Sequence, residues 1–453
     1  MKSFKEILPL VCLMLLSYAV QAQKKKNRAP DPAVFNPAAR PKNLSDTALL
    51  ELVQRQTFRY FWDFGHPISG LSRERSNEAY DYGSEVVTTG GTGFGVMAMI
   101  VASERKWYPR DSVSKRLLKM VKFLSKADNF HGAFPHWLNG ATGKTIPFSR
   151  KDDGGDLVET AFLFQGLLCA RQYFNKDNPI ENDLRNRISW LYNEIEWDWY
   201  TRGNPNQLYW HWSPNNGWAM NFELRGYNET LITYILAASS PRYPISALVY
   251  QKCWPQSDHF RNGNQYYGIP LQLGFPYGGP LFFAHYSFLG LDPRNLKDQY
   301  ADYWQQNVNH TLINYQHCVL NPHHFKGYGE NSWGLTASDT YNGYNAHSPE
   351  NDLGTISPTA ALSSFPYAPD KSMKALRHFY DDLGDKIWSE YGFTDAFNES
   401  QNWYAKSHLA IDQGPIIVMI ENYRTGLLWK LFMQDPDIQR GLRTLGFVSP
   451  AVK

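Results

Sequence analysis

Three groups of carboxylates stand out for their spacing and their surroundings. The first is the run Asp152-Asp153-Gly154-Gly155-Asp156-Leu157-Val158-Glu159. Asp152, Asp156 and Glu159 are four and three residues apart, so a helix that included them would carry all three on one face. Like charges stacked that way are costly unless hydroxyl-rich ligands or basic partners meet them. The second is Glu229 in Gly226-Tyr227-Asn228-Glu229-Thr230, ahead of the apolar run Leu231 to Leu236. The third is Asp412 in Ile411-Asp412-Gln413-Gly414-Pro415, ahead of Ile416 to Ile420. Each also has an ordinary structural explanation, because first-turn acids complement the helix dipole and Asn228 and Asp412 suit capping positions. Their aromatic company points further. The loop before Glu229 holds Tyr209-Trp210-His211-Trp212 and Trp218, and the loop before Asp412 holds Trp403 and Tyr404. Two carboxyls flanking one bond are what glycoside hydrolysis needs: one protonates the leaving oxygen, the other activates water or attacks carbon. An acid among rings has a raised pKa, which makes Glu229 the proton-donor candidate. Asp412 is the base candidate, since its Gly-Pro context suggests a polar, open loop.

Other side chains are suited to holding a sugar. Arg73 and Arg75 can bind substrate or pair with an acid, and His136-Trp137, His211-Trp212, His285-Tyr286 and His323-His324 add polar and stacking groups. The expected substrate-binding set is Asp152, Asp156, Glu159, Arg73, His136, Trp137, Trp210, Trp212, Trp218, His285, Trp333 and Trp403. No HxxxH or HxH pair has metal-ligand spacing, so neither a metal nor another cofactor is expected. The glycines of Thr89-Gly90-Gly91-Thr92-Gly93-Phe94-Gly95 lack the following Lys-Ser/Thr of a phosphate loop. They suit a helix that starts close to a cavity.

The elements that must position these groups alternate. Helices near residues 93–107, 154–174, 228–239, 279–290, 358–364 and 413–433 are apolar nearly all round. Partners near 46–63, 112–127, 180–200, 244–252, 295–318 and 370–388 carry charge on one face. The first kind belongs inside and the second outside. Long gaps, near 64–92, 128–153, 201–227, 253–278, 319–357 and 389–412, each precede an apolar helix, while the gaps after them are short. Long gaps within one domain are usually functional. The pattern predicts an all-α, (α/α)6 toroid of six inner and six outer helices, with a cleft at the N-terminal ends of the inner ones. A thirteenth helix, near 436–445, is an accessory.

Composition agrees with that reading. The chain has 453 residues, with Lys+Arg 45 against Asp+Glu 43 and a formal charge of +2. So even a balance gives no footprint for nucleic acid. Aromatic residues make up 15% and charged residues 19%, which excludes a disordered chain and leans towards stacking on sugars. Lys2 and Lys5, the apolar stretch Ile7 to Val20 and Val20-Gln21-Ala22 read as a bacterial secretory signal cut before Gln23. Residues 23–43 follow as an extended Pro-rich leader, and 44–453 as a single domain. The expected location is therefore periplasmic or extracellular, without membrane insertion after cleavage. Cys169, Cys253 and Cys318 cannot all pair and have no CxxC spacing, so no disulfide framework is indicated.

At the three acidic motifs the sequence resembles a known family. Asp152 to Glu159, Gly226 to Thr230 and Ala410-Ile411-Asp412-Gln413-Gly414-Pro415 are similar to those of the glucoamylase-like family. Within that group the likeness is greatest to bacterial β-1,2-glucanases of glycoside hydrolase family 144, over residues 44–448. The resemblance implies an (α/α)6 toroid, hydrolysis of β-1,2-glucan with inversion, and no metal requirement. It implies acidic cleft residues at Asp152, Asp156 and Glu159, and catalytic roles for Glu229 and Asp412. Two rivals remain: an exported glycan-binding protein without activity, and a polysaccharide lyase on a similar toroid. An acidic cleft disfavours the lyase, whose uronate substrate it would repel.

Overall fold

A computed structural model describes residues 36, 39–77 and 83–452. The expected signal peptide and nearly all of the Pro-rich leader lie outside the described residues. From Pro41 onward the chain forms one compact unit. Its helices are α1 (Asp46–Trp62), α2 (Thr89–Glu104), α3 (Arg110–Leu124), α4 (Leu157–Tyr173), α5 (Pro179–Asn193), α6 (Leu231–Ser239), α7 (Ala247–Cys253), α8 (Tyr303–Leu320), α9 (Pro358–Leu362), α10 (Pro369–Arg377), α11 (Gly384–Ile387), α12 (Ala410–Arg424), α13 (Leu427–Met433) and α14 (Pro436–Leu445).

Helices without a polar face have nothing to offer water, and they are enclosed accordingly. In α2 everything from Thr89 to Ser103 is buried, and in α4 everything from Leu157 to Ala170. Every residue of α6 and α9 is buried too. These helices form an inner ring: α2 packs on α4, α4 on α6, α6 on the turns at Leu281–Phe288, and α9 on α12, which returns to α2. Hydrogen bonds from Tyr367 to the Ala284 carbonyl and between His285 and Ser364 link the fourth and fifth members. Glycines set the closest approach. A Cβ on Gly93 would collide with the Phe162 carbonyl, and one on Gly166 with the Gly93 carbonyl, so α2 and α4 meet backbone to backbone. Amphipathic helices surround the ring. α1 covers α12 and α2, α3 and α5 pack side by side, and α14 covers α6.

Short antiparallel strand pairs brace the long loops at the N-terminal ends of the ring. Val86–Thr88 pairs with Trp137–Asn139, which also pairs with Thr145–Ile146. Gly155–Asp156 pairs with His211–Trp212, and Ala337–Thr340 with Gly343–Ala346. No helix among the described residues is long and apolar enough to cross a membrane. Cys169, Cys253 and Cys318 are free and buried.

Three expected helices differ. The fourth inner member, expected near 279–290, is two 3-10 turns, Leu281–Ala284 and Tyr286–Phe288. Left-handed Tyr277, Gly278 and Gly279 followed by Pro280 leave no room for a regular N-terminal turn, and such short pieces favour the tighter helix. The segment expected at 413–433 is broken at Gly426, whose φ of 69° no interior helical residue adopts. The outer helix expected over 370–388 is α10, a π-turn at His378–Asp382 and α11.

Candidate active site

Local sequence explains how each acid is held. Asp156 caps α4: its Oδ1 accepts from the amides of Val158 at 3.0 Å and Glu159 at 2.9 Å, and from the Trp210 indole at 2.9 Å. Its Oδ2 faces His136 Nδ1 at 3.2 Å and His211 Nε2 at 3.6 Å. Burial pushes this carboxyl up, but the His136 hydrogen bond, the nearby His211 and the amides outweigh burial and hold it below its ordinary value. Asp156 is therefore an anchored anion. Asp152 Oδ2 lies 3.4 Å from His211 Nε2. Glu159, three residues into α4, accepts the Gly90 amide at 2.7 Å and stands 3.9 Å from His136 Nε2. Burial raises its pKa to about 7; His136 opposes the rise and Asp156 adds to it. Burial alone would lower His136, but Glu159 and Asp156 carry it to about 9, so it is an imidazolium at neutral pH. The three acids are neighbours, as their spacing implies, with a histidine cation among them. His136, Asp152 and Asp156 could each offer a metal ligand, their donor atoms lying within 4.8 Å of one another.

Glu229 precedes α6, its carbonyl held by the Ser287 hydroxyl at 2.5 Å. Burial raises its pKa to about 7, with Glu159 and Asp156 contributing repulsion and its own amide opposing. At neutrality a carboxyl in that range is balanced between giving and holding a proton. It lines a cavity of about 490 Å³ with Asp152, Asp156, Trp210, His211 and a wall of Phe222, Phe275, Phe282 and Phe283. His136 and the exposed Phe148 line this cavity and also a smaller one of about 180 Å³, shared with Glu74, Arg75, Trp137, Glu159 and Tyr344. Arg75 and Tyr344 pass on to a third, of about 630 Å³, lined by Asp339, Trp403 and Tyr404. Shared walls make the three hollows one cleft across the N-terminal ends of the inner ring.

Asp412 lies in the first turn of α12, but not in an open loop as its Gly-Pro context suggested. Both its carboxyl oxygens are closed to solvent and accept no N–H or O–H. The carboxyl meets that of Asp395, and burial followed by repulsion from Asp395 raises its pKa well above the ordinary value. The Pro415 that suggested openness lies inside a buried helix.

A family model described as “Putative glucoamylase” matches residues 221–436, which include both Glu229 and Asp412. A “putative glucoamylase” from Bacteroides uniformis is 61% identical, with a TM-score of 0.89 over 91% of this chain and 100% of that one. The chain belongs to the glucoamylase-like family. Another solved member, an “Endo-beta-1,2-glucanase” from Chitinophaga pinensis in complex with sophorotriose and glucose, is 55% identical, with a TM-score of 0.88 over 90% and 100% of the two chains. The chain is also 47% identical, over 89% of its length, to an “Exo beta-1,2-glucooligosaccharide sophorohydrolase (non-reducing end)” of Parabacteroides distasonis, of which it spans 58%. An “endo-beta-1,2-glucanase” from Talaromyces funiculosus shares only the toroid, at 12% identity and a TM-score of 0.60.

Within this family member the cleft gathers Asp152, Asp156, Glu159, Glu229, His136, Trp137, Trp210 and Trp403. Five expected contacts are elsewhere. Arg73 is tied to the carbonyls of Ser84 at 2.7 Å and Phe64 at 2.8 Å, bracing its loop. His285 is buried against Ser364, and burial pushes it down to about 3. Trp333 is fully buried, donating to the Lys371 carbonyl. Trp212 and Trp218 pack on Trp199, behind the lining rather than in it. Among unforeseen residues, Glu74, Asp339, Asp395 and Tyr344 matter most. Tyr344 follows an Asn342-Gly343 pair, a hairpin signal that marks the position in the sequence. Asp395 offers only a weaker signal, a single acid shortly before the two-residue strand Phe397–Asn398.

Proposed function

We propose that this protein is a glycoside hydrolase that cleaves β-1,2-glucan, with Glu229 as proton donor and Asp412 as base, and with inversion at the anomeric carbon. We further infer that it acts after export, in the periplasm or outside the cell. The observation that carries the reading is the state of Glu229: a carboxyl raised to about 7, in a cavity walled by rings and shared with the anchored anion Asp156. Such a group holds a proton where free carboxyls do not, and can pass it to a leaving glycosidic oxygen. Likeness to a “beta-1,2-glucanase” and a “sophorohydrolase” supports the linkage.

In the reaction so drawn, sugar rings stack along Trp210, Phe222 and Phe282 on one side and Trp403 on the other. Asp152 is an acceptor for sugar hydroxyls, and Asp156 holds His136 and His211 against the cleft. Glu229 gives its proton to the leaving oxygen as the bond to the anomeric carbon breaks. A water loses its proton to the base and adds its oxygen to that carbon from the opposite face. One observation favours a second assignment of the base: Glu159 lines the cleft, whereas the oxygens of Asp412 are closed off.

The test is product analysis on β-1,2-glucan, laminarin, starch and a uronate polymer. Cleavage of β-1,2-glucan with first-formed α-anomers in the NMR spectrum is expected; β-anomers would overturn inversion. Unsaturated products would indicate a lyase, and binding without cleavage a glycan receptor. Glu229→Gln and Asp412→Asn should each lower kcat by about 10²-fold or more. If Asp412→Asn stays active while Glu159→Gln does not, the base is Glu159.

A further inference from the structure

Two of the long loops contribute to the wall of the Glu229 cavity. Residues 253–278 and the turn after them bring Phe275 and Pro280, and residues 319–357 bring Ala346. The same two loops also meet at one buried imidazole. His317, in the last turn of α8, lies 2.8 Å through Nδ1 from the Tyr267 hydroxyl and 2.9 Å through Nε2 from Asp352 Oδ2. The side chains of His317 and Asp352 are 3% and 1% exposed. A carboxylate only accepts, so His317 donates from Nε2 and takes the Tyr267 proton at Nδ1. Asp352 Oδ1 accepts from the Tyr328 hydroxyl at 2.7 Å and the Gly354 amide at 2.9 Å, which anchors the carboxylate in its own loop.

The side chain that reaches His317 is placed against the preference of its backbone. Tyr267 and Gly268 are the two central residues of the hairpin that pairs Gln265–Tyr266 with Ile269–Pro270, and both are left-handed, with φ of 55° and 79°. Such a turn favours Asn-Gly, and a bulky residue in its first position is strained. Strain of this kind persists only where the surroundings fix it. Here the tyrosine fixes itself, with its hydroxyl on His317 and its ring 5.6 Å from that of Tyr277. Tyr277, also left-handed at 57°, lies 4.3 Å from the Tyr266 ring and leads through Gly279 to Pro280. On the other side Asn351, the neighbour of Asp352, donates to the Ala346 carbonyl at 2.9 Å. One chain of contacts thus runs from the Pro280 wall to the Ala346 wall, and His317 is its middle link.

We propose that His317 is a positioning residue that sets the separation of these two walls, and with it how tightly the cleft grips a glucan chain. It acts through Tyr267 on one loop and through Asp352 on the other. The acids of the cleft stand on other segments, at 152–159 and 226–230, so the clasp governs binding and leaves bond cleavage to them. That consequence rests on the proposed hydrolysis of β-1,2-glucan; the clasp itself does not.

Two measurements test this. In steady-state kinetics on β-1,2-glucan, His317→Ala is expected to raise KM about tenfold with kcat within about threefold of the wild type, and Tyr267→Phe to raise KM about threefold. Tyr267→Asn is the decisive variant, and it keeps the test open if His317→Ala fails to fold. Asn suits the turn, so its Tm should hold or rise while its KM climbs as in His317→Ala. A role confined to stability would leave KM alone, and wild-type KM in Tyr267→Asn overturns the proposal. The second measurement is hydrogen exchange of the folded protein without substrate. In His317→Ala the amides of 264–271 and of 347–354 should exchange faster together, by roughly fivefold or more. A response of one segment without the other overturns the clasp. Because no glycan is present, the two failures separate: a wild type inactive on β-1,2-glucan removes the hydrolase assignment, whereas loops that respond independently remove His317 as their link.

Discussion

A carboxyl's task in this cleft is set by what satisfies it. Asp156 takes three N–H donors and a histidine and stays charged; its chemistry is to hold, not to exchange. Glu229 has burial and neighbouring anions but no side-chain donor to offset them, and so keeps its proton to about 7. The sign of the pH dependence follows. A donor must be protonated in the free enzyme, so kcat/KM on β-1,2-glucan should fall as pH rises through about 7. A pH profile of initial rates checks this, and a descending limb beginning only beyond pH 9 would exclude Glu229 as the donor.

At the scale of elements, the acids are placed by how closely the inner helices approach. Gly90 donates to Glu159 and Gly93 lies against Phe162, so α2 both fixes the acid and touches the backbone of α4. Gly93→Ala puts a methyl group against the Phe162 carbonyl and the Leu163 Cα, neither of which can swing aside. It should cost about 2–3 kcal/mol, read from urea unfolding, and reduce activity by displacing Glu159. The helices themselves were legible because all-round apolarity and one-faced charge are local properties of the chain. The three motifs were legible for the same reason: each is a local run at a helix start. The meeting of Asp395 with Asp339 and Tyr344 was not, since the last two share one hairpin and Asp395 reaches them from a different long loop. Trp333 and His285 misled because rings and histidines have the same letters in a core as in a cleft. Asp412 was found but its surroundings were misjudged, since Gly414 and Pro415 sit buried inside a helix, with Gly414 against Phe94.

Across the whole molecule, chemistry and closure occupy opposite ends of the ring. At the C-terminal ends of α2 and α12, Arg105 reaches Glu421 at 2.5 Å and Glu51 of α1 at 3.0 Å, and Arg424 reaches Glu51 at 2.9 Å. Glu421 is 1% exposed, so losing its cation leaves a buried anion with only neutral donors. Arg105→Met should therefore destabilise by about 3 kcal/mol. At a temperature where the variant is folded, its kcat on β-1,2-glucan should match the wild type, because the break is remote from the cleft. A thermal melt and an assay below the transition separate the two effects; an activity loss with an unchanged melt would contradict this division.

That same clasp joins the first helix of the ring to the last. During synthesis α2 and α4 emerge early with largely apolar surfaces, while α12, which must cover α2, follows some three hundred residues later. Closure is thus a long-range event, and such contacts are slow because chain entropy is lost before they reward it. Until then the nascent ring is an open arc with an oily edge, so the wait for α12 is the interval in which this protein is most exposed to aggregation.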